Sequence, residues 1–169
     1  MRRLLDALYD STAALAALCM VLLLVAVLLS IAGRQFNFHI SGIDAYAGYL
    51  MAGAGFLALA HTLKRGEHIR VTLVLTYLRG PWRRGLELFA LGLGALLALL
   101  FAWYSVRLAW QSHVFNDIST ANDATPLWLP QIGMAVGAVI LAVACLDELV
   151  LEARGERAQP EAGEALRNE

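Results

Sequence analysis

The sequence predicts an all-α integral membrane protein with four transmembrane helices. Of its 169 residues, 59% are hydrophobic, and its mean hydropathy is +0.62. A typical soluble domain is about 45–50% apolar, and one small core could not bury this much apolar surface. The chain also contains four runs of 19 to 23 residues without Asp, Glu, Lys or Arg, at 11–33, 45–63, 88–106 and 124–146. We therefore expect each run to cross a bilayer.

The length of each run suits a membrane-spanning helix. At about 1.5 Å per residue, such a run reaches across the roughly 30 Å hydrocarbon layer, where backbone groups must be satisfied internally. The first run exceeds the roughly 7–15 apolar residues of a cleavable signal, so we interpret it as a retained helix. Helix 4 is expected to start with Thr125 as N-cap and Pro126 as its first helical residue. Residues 1–151 are predicted to form a single membrane domain, and 152–169 a disordered cytoplasmic tail.

The basic residues predict the orientation of the helices. Eleven of the 13 Lys and Arg precede helix 1, lie between helices 2 and 3, or follow helix 4. The other two connections hold only Arg34 and Arg107. Because basic residues favour cytoplasmic loops, we expect both termini and the connection between helices 2 and 3 to face the cytoplasm.

That basic connection contains an apolar run that is too short to span a membrane. A face of His68, Thr72, Thr76 and Arg79 predicts a short amphipathic helix at about 67–79, lying along the membrane interface. A strand is the alternative, because Ile69, Val71, Leu73, Leu75 and Tyr77 alternate with a period of two. Trp82 follows as a predicted interfacial anchor.

The outer connections and the helix faces give weaker expectations. Arg34 and Asp44 are predicted to orient the first outer loop, and Trp110 and Trp128 to anchor at the outer interface. Small residues are expected where helices approach closely. They occur on helix 2 (Ala45, Gly48, Ala52, Gly55), on helix 3 (Gly94, Ala98, Ala102) and on helix 4 (Gly133, Gly137).

The sequence offers no catalytic, substrate-binding or metal-binding constellation and no cofactor motif, so we do not expect an enzyme. Cys19 and Cys145 are interpreted as packed thiols, and the sorted charges give no sign of nucleic-acid binding. No charged residue lies deep in a span, which disfavours a free-standing transporter or channel. An accessory subunit is therefore predicted. The alternative is a haem- or quinone-binding anchor subunit of a redox enzyme, with His61 as the one histidine within a span.

Three segments of the sequence resemble the small membrane subunit of TRAP (tripartite ATP-independent periplasmic) transporters. They are RQFNF after helix 1, SGIDAYAGYLMAGAGFLALAHTLKRGEHIRVTLVLTYL, and TPLWLPQIGMAVGAVILAV in helix 4. The most specific piece is RGEHIRV, at 65–71. The resemblance identifies Arg65, Gly66, Glu67, His68 and Arg70 as signature positions, which we expect to contact a partner or lipid headgroups.

The resemblance implies a function in the bacterial inner (cytoplasmic) membrane. A small subunit of this kind acts as a scaffold for a large membrane subunit that carries the transport site and couples uptake to sodium. A periplasmic receptor binds transiently and delivers the solute, often an organic acid. Partners would thus be the large subunit, the receptor and membrane lipids, and no cofactor is expected.

Overall fold

The computed structural model describes residues 2–38, 40–65 and 81–155. Within these ranges lie four α-helices: α1 (Arg2–Phe36), α2 (Ile43–Lys64), α3 (Pro81–Val114) and α4 (Trp128–Arg154). All four are long and apolar enough to cross a membrane. The predicted all-α class with four spans is confirmed.

Helices that follow one another in the chain run antiparallel, so α2 and α4 run in the same direction. Helix α2 packs against α1 on one side and α4 on the other, and α4 packs against α3. We call the end with residues 37–42 and 115–127 the loop end. The opposite end, where α1 and α3 begin and α2 and α4 finish, is the termini end.

Helix α1 touches the rest of the protein along one narrow seam. Its buried and half-buried residues at 9, 12, 16, 19, 23, 26, 30 and 33 follow alternating spacings of three and four, as in the seam of a coiled coil. Most large side chains between them are exposed. The seam is made mainly of small residues, and its buried members are Tyr9, Thr12, Ala16, Ala26 and Gly33.

Helix α3 uses the same kind of seam against α4. Its Ala98 and Ala102 form a buried cluster with Ala138 and Ala142 of α4. Small side chains allow the two backbones to approach closely, which is how helices associate in lipid without a hydrophobic driving force. Ala98 and Ala102 thus lie in the contact expected for helix 3, whereas Gly94, the third residue of that predicted stripe, is exposed.

Helices α2 and α4 make the closest backbone approach. A Cβ atom added to Gly137 would lie 2.6 Å from the carbonyl carbon and oxygen of Phe56, and one added to Gly133 would lie 3.7 Å from Cα of Gly53. The ring of Phe56 also stacks on Phe101 of α3, with centroids 5.7 Å apart. The glycines of helix 4 therefore pack as the sequence predicts.

The stripe predicted on helix 2 lies on a different face from the one that packs. Gly48, Ala52 and Gly55 are exposed, and a Cβ added to either glycine would meet nothing within 4 Å. Close contact with α4 instead involves the face with Gly53 and Phe56. Because α2 is apolar around its circumference, sequence pattern alone does not distinguish the two faces.

The ends of the helices differ from the predicted spans. Helix α3 continues to Val114, beyond the apolar run that ends at 106. Helix α4 begins at Trp128 with Leu127 as its N-cap, so the prediction of Thr125 as N-cap and Pro126 as first helical residue is wrong. Pro126 instead pairs with Ile118 in an antiparallel bridge. Helix α4 continues to Arg154, and Gly155 follows with φ 73°, the left-handed conformation that commonly ends helices. The predicted interfacial segment at 67–79 and the tail from 156 onward lie outside the described residues.

Candidate interaction surfaces at the two ends of the bundle

The polar contacts that join different helices lie at the two ends of the bundle. The central parts of the four apolar runs contain no charged residue. In the described ranges, no group of three or more His, Cys, Asp or Glu side chains could hold a metal ion. Cys19 and Cys145 are both free thiols and half-buried. The candidate functional sites are therefore interaction surfaces at the two ends of the bundle.

At the loop end, residues 115–127 close into a compact hairpin. The backbone N–H of Ser119 donates to the carbonyl of Thr125 at 2.9 Å, and that of Leu127 donates to the carbonyl of Asp117 at 2.9 Å. The Ser119 hydroxyl accepts a hydrogen bond from the N–H of Ala121 at 3.2 Å. These hydrogen bonds satisfy backbone groups of the hairpin that would otherwise need to be satisfied within a helix. Helix α4 therefore begins only at Trp128.

The hairpin is attached to α2 through tyrosines. The Tyr49 hydroxyl lies 3.1 Å from Oδ2 of Asp123 and 2.9 Å from Oγ of Ser119, and Thr125 donates to the Tyr46 hydroxyl at 3.2 Å. Since a phenol has a single proton, Tyr49 donates to either the Asp123 carboxylate or Ser119 at any one time. We call Tyr46, Tyr49, Ser119, Asp123 and Thr125 the loop-end latch.

Asp123 is the charged centre of this latch. Desolvation raises the pKa of its carboxyl group, but hydrogen bonding with the hydroxyl groups of Thr125, Ser119 and Tyr49 outweighs this effect. The pKa of Asp123 is consequently below its usual value of 3.8. The carboxylate is thus the form that holds the latch closed at neutral pH.

The two loops also contact each other directly. The Ser41 hydroxyl donates to the carbonyl of Asn122 at 3.1 Å. Gly42, the N-cap of α2, has φ 79°, and a Cβ at this position would lie 2.6 Å from Cβ of Asp123. Glycine is required here both for the left-handed backbone and for the close approach. The first loop and the hairpin therefore form one continuous surface.

That surface carries exposed apolar side chains. Phe36 is 77% exposed, Phe115 72%, Trp110 68% and Ile118 58%. Aromatic side chains at this level suit either a membrane interface or a protein partner. The latch holds to α2 the hairpin that carries Phe115 and Ile118.

At the termini end, side chains in the first turns of α1 contact side chains in the last turns of α2. Asp6 forms an ion pair with Lys64, and Oδ1 of Asp10 lies 3.6 Å from Nδ1 of His61. The Lys64 ammonium also lies over the ring of Tyr9, 5.1 Å from its centroid. We call these five residues the termini-end clasp.

Tyr9 is the largest fully buried side chain in the described part of the protein, with 1% of its surface exposed. It packs in one cluster with Ala60 of α2 and with Ile140 and Ala144 of α4. The ring therefore occupies the point where three helices meet. Nearby, Arg84 of α3 donates to the carbonyl of Ala153 at 3.1 Å and so caps the end of α4.

The predicted site residues are only partly within the described ranges. Arg65 follows the last residue of α2 and is exposed, whereas Gly66, Glu67, His68 and Arg70 lie outside the described residues. The role of these signature residues stays a prediction.

The remaining predicted residues lie mainly at the loop end. Arg34 is exposed in the last turn of α1, and the carboxylate of Asp44 accepts a hydrogen bond from Ser30 at 2.9 Å. Trp110 is exposed, and Trp128 is half-buried with its ring 5.2 Å from that of His113. Trp82 is the second residue of α3 at the termini end. Their roles as orienting residues and anchors stay predictions.

Sequence reasoning missed both the latch and the clasp. Tyr49 and Asp123 are 74 residues apart, and no local pattern pairs them. Asp6 and Asp10 are four residues apart, and His61 and Lys64 are three residues apart. Each pair therefore lies on one face of its helix. This match between two acids and two cations at facing helix ends is the one signal that could have suggested the clasp.

The histidines do not support the haem alternative. His61 lies at the termini end of α2 and His113 at the loop end of α3, so these two cannot ligate one iron between them. His61 is also engaged with Asp10. The redox-anchor interpretation has no support among the described residues.

Four spans with charge-free centres, joined by polar contacts at their ends, define a multi-pass membrane protein. Residues 23–155 match the family model described as Tripartite ATP-independent periplasmic transporters, DctQ component. The chain belongs to this family, the small membrane component of TRAP transporters. It is thus a component of a transport system that works with other TRAP components. No curated relative matches the chain.

Proposed function

We propose that this protein is the scaffold subunit of a sodium-coupled TRAP transporter in the bacterial inner membrane. In this proposal it packs against the large, substrate-translocating subunit, and a periplasmic receptor delivers an organic acid. The termini end faces the cytoplasm and the loop end the periplasm, in agreement with the distribution of basic residues.

The observation that carries the proposal is the contrast between the centre and the outside of the spans. Their centres contain no charged side chain that could form part of a path for an anion or a sodium ion. Helices α1 and α3 bury only narrow seams and expose broad apolar faces, so lipid and another membrane subunit can both contact them. Such a chain can support a transport subunit but offers no route of its own.

The central test separates assembly from transport. The tagged chain is expressed with the large TRAP membrane subunit and purified in mild detergent. We expect the large subunit to co-purify. Proteoliposomes with both subunits and the receptor should accumulate solute under an inward sodium gradient, and the chain alone should not. Uptake by vesicles that contain only this chain would refute the scaffold function.

The signature positions need a separate test. Glu67→Ala and Arg70→Ala are expected to reduce co-purification, because we assign these residues to partner or lipid contacts. The exposed Arg107→Ala, on α3, serves as the matched control. If both signature variants assemble and support uptake like the control, the assigned role is wrong.

The orientation can be measured with single cysteines. In a Cys19→Ser, Cys145→Ser background, an impermeant thiol reagent added to intact spheroplasts should label Thr120→Cys in the loop-end hairpin. Arg65→Cys, at the end of α2, should be labelled only after the membrane is opened. The reverse pattern would show that the chain is inserted the other way.

A further inference from the structure

Three of the five residues of the termini-end clasp lie outside the region that matches the family model. The matched family residues begin at 23, whereas Asp6, Tyr9 and Asp10 precede them. The α1 half of the clasp therefore lies outside the part of the chain that identifies the family. Its partners, His61 and Lys64, lie on the last turns of α2, directly before the signature segment that starts at Arg65.

The residues of α1 that contact α2 specify the register of the two helices only weakly. They are mostly Ala, Ser, Thr and Gly, which resemble one another in size, so a shifted alignment would pack nearly as well. Polar partners at defined positions are what fix register in such helix pairs. In the described ranges these partners lie at both ends: Ser30 with Asp44 at the loop end, and the clasp at the termini end.

The clasp combines a buried wedge with exposed charges. Tyr9 fills the junction of three helices and is nearly inaccessible to solvent. The side chain of Asp10 is 75% exposed, and those of Asp6 and Lys64 are about half and two-fifths exposed. Exposed ion pairs are individually weak, so they select a geometry more than they stabilise the fold. Tyr9 thus contributes packing, and the ion pairs fix the register of α1 against α2.

We propose that the termini-end clasp is a positioning device that fixes the end of α2 and so holds Arg65, the first signature residue, where it contacts the large TRAP membrane subunit. This inference rests on the proposed scaffold function. Asp6, Tyr9 and Asp10 are positioning residues in this scheme, since they act through His61 and Lys64. The contact itself is made by Arg65, which follows the last residue of α2 and is exposed.

The experiment exploits the fact that an ion pair can be reversed. Lys64→Glu and Asp6→Lys are made singly and together, each expressed with the large subunit, and the co-purified large subunit is measured per small subunit. We expect each single reversal to lower this ratio roughly two- to fivefold and the double reversal to restore most of it. The matched control is Arg107→Glu, an exposed charge reversal on α3, which should leave the ratio unchanged.

Tyr9 provides a second, independent readout. Tyr9→Phe keeps the ring that fills the junction and faces Lys64, so it should retain the wild-type ratio. Tyr9→Ala, which removes the buried ring, should lower it. Size-exclusion profiles of each variant expressed alone distinguish lost positioning from failure to fold.

The outcomes separate this inference from the function on which it rests. If the wild-type chain fails to bring the large subunit with it, the scaffold function and this inference fall together. If the wild type co-purifies but the single reversals match Arg107→Glu, or the double reversal does not recover, only the positioning role of the clasp is overturned.

Discussion

Substitution of Gly137 tests the closest helix contact in the protein. In Gly137→Ala the new methyl group would lie 2.6 Å from the backbone carbonyl of Phe56. Carbon atoms pack best at about 3.5–4.0 Å, so α2 and α4 would have to separate locally by about 1 Å. The opposing atoms are backbone, which cannot rotate away as the tip of a side chain could.

The size of the effect follows from two opposing contributions. Overpacking by one methyl group typically costs about 1–3 kcal/mol. Replacing glycine by alanine in a helix interior recovers up to about 1 kcal/mol. We therefore expect a net loss of about 1–2 kcal/mol, which corresponds to a Tm lower by about 2–8 °C for a domain of this size.

The assay compares Tm values from tryptophan fluorescence in one detergent at a single scan rate, because membrane proteins often unfold irreversibly. Gly133→Ala, on the same face of α4, is the matched control: its methyl group would meet Cα of Gly53 at an ordinary 3.7 Å. This variant should be unchanged or slightly more stable. If Gly137→Ala melts at or above the temperature of Gly133→Ala, the close approach of α2 and α4 is incorrect.

Three further predictions concern the loop end. Gly42→Ala should lower Tm, since a left-handed alanine costs about 1–2 kcal/mol and its Cβ would collide with Asp123; an unchanged Tm would contradict this geometry. Tyr49→Phe should make the hairpin more accessible to protease than Tyr46→Phe does, because it removes the hydroxyl that donates to the Asp123 carboxylate; equal digestion rates would refute this ranking. Because folding lowers the pKa of Asp123, its contribution to stability is full above about pH 3.8 and is lost as pH falls through the folded-state pKa. Acid titration followed by fluorescence should therefore show a loss of stability that is smaller in Asp123→Asn, and identical titrations would exclude the effect.

The spans were predictable because the bilayer imposes their length and composition. Any helix that crosses it needs about 20 apolar residues, and the four charge-free runs satisfy this requirement. The ends of the helices were less predictable. Arg107 marks where the apolar run stops, but a hydrogen-bonded helix can continue into water, and α3 does so to Val114.

The packing faces and polar contacts could be predicted only in part. Gly133 and Gly137 stood out on α4, yet the equally suggestive Gly48 and Gly55 of α2 are exposed. A helix that is apolar all round gives no pattern to choose between its faces. The latch and the clasp depend on three-dimensional juxtaposition of distant residues, and a single sequence contains no information that pairs Tyr49 with Asp123.

The contrast between α1 and α2 has a consequence for biogenesis. The span of α1 is the most apolar of the four described, and that of α2 is the least. A strongly apolar segment can leave the translocon for lipid unaided, whereas one rich in glycine and alanine gains less from doing so. The small seam of α1 then offers the newly made α2 a surface to join. The first two helices would thus enter the bilayer as a pair, and a substitution in that seam would first become visible as a failure of insertion.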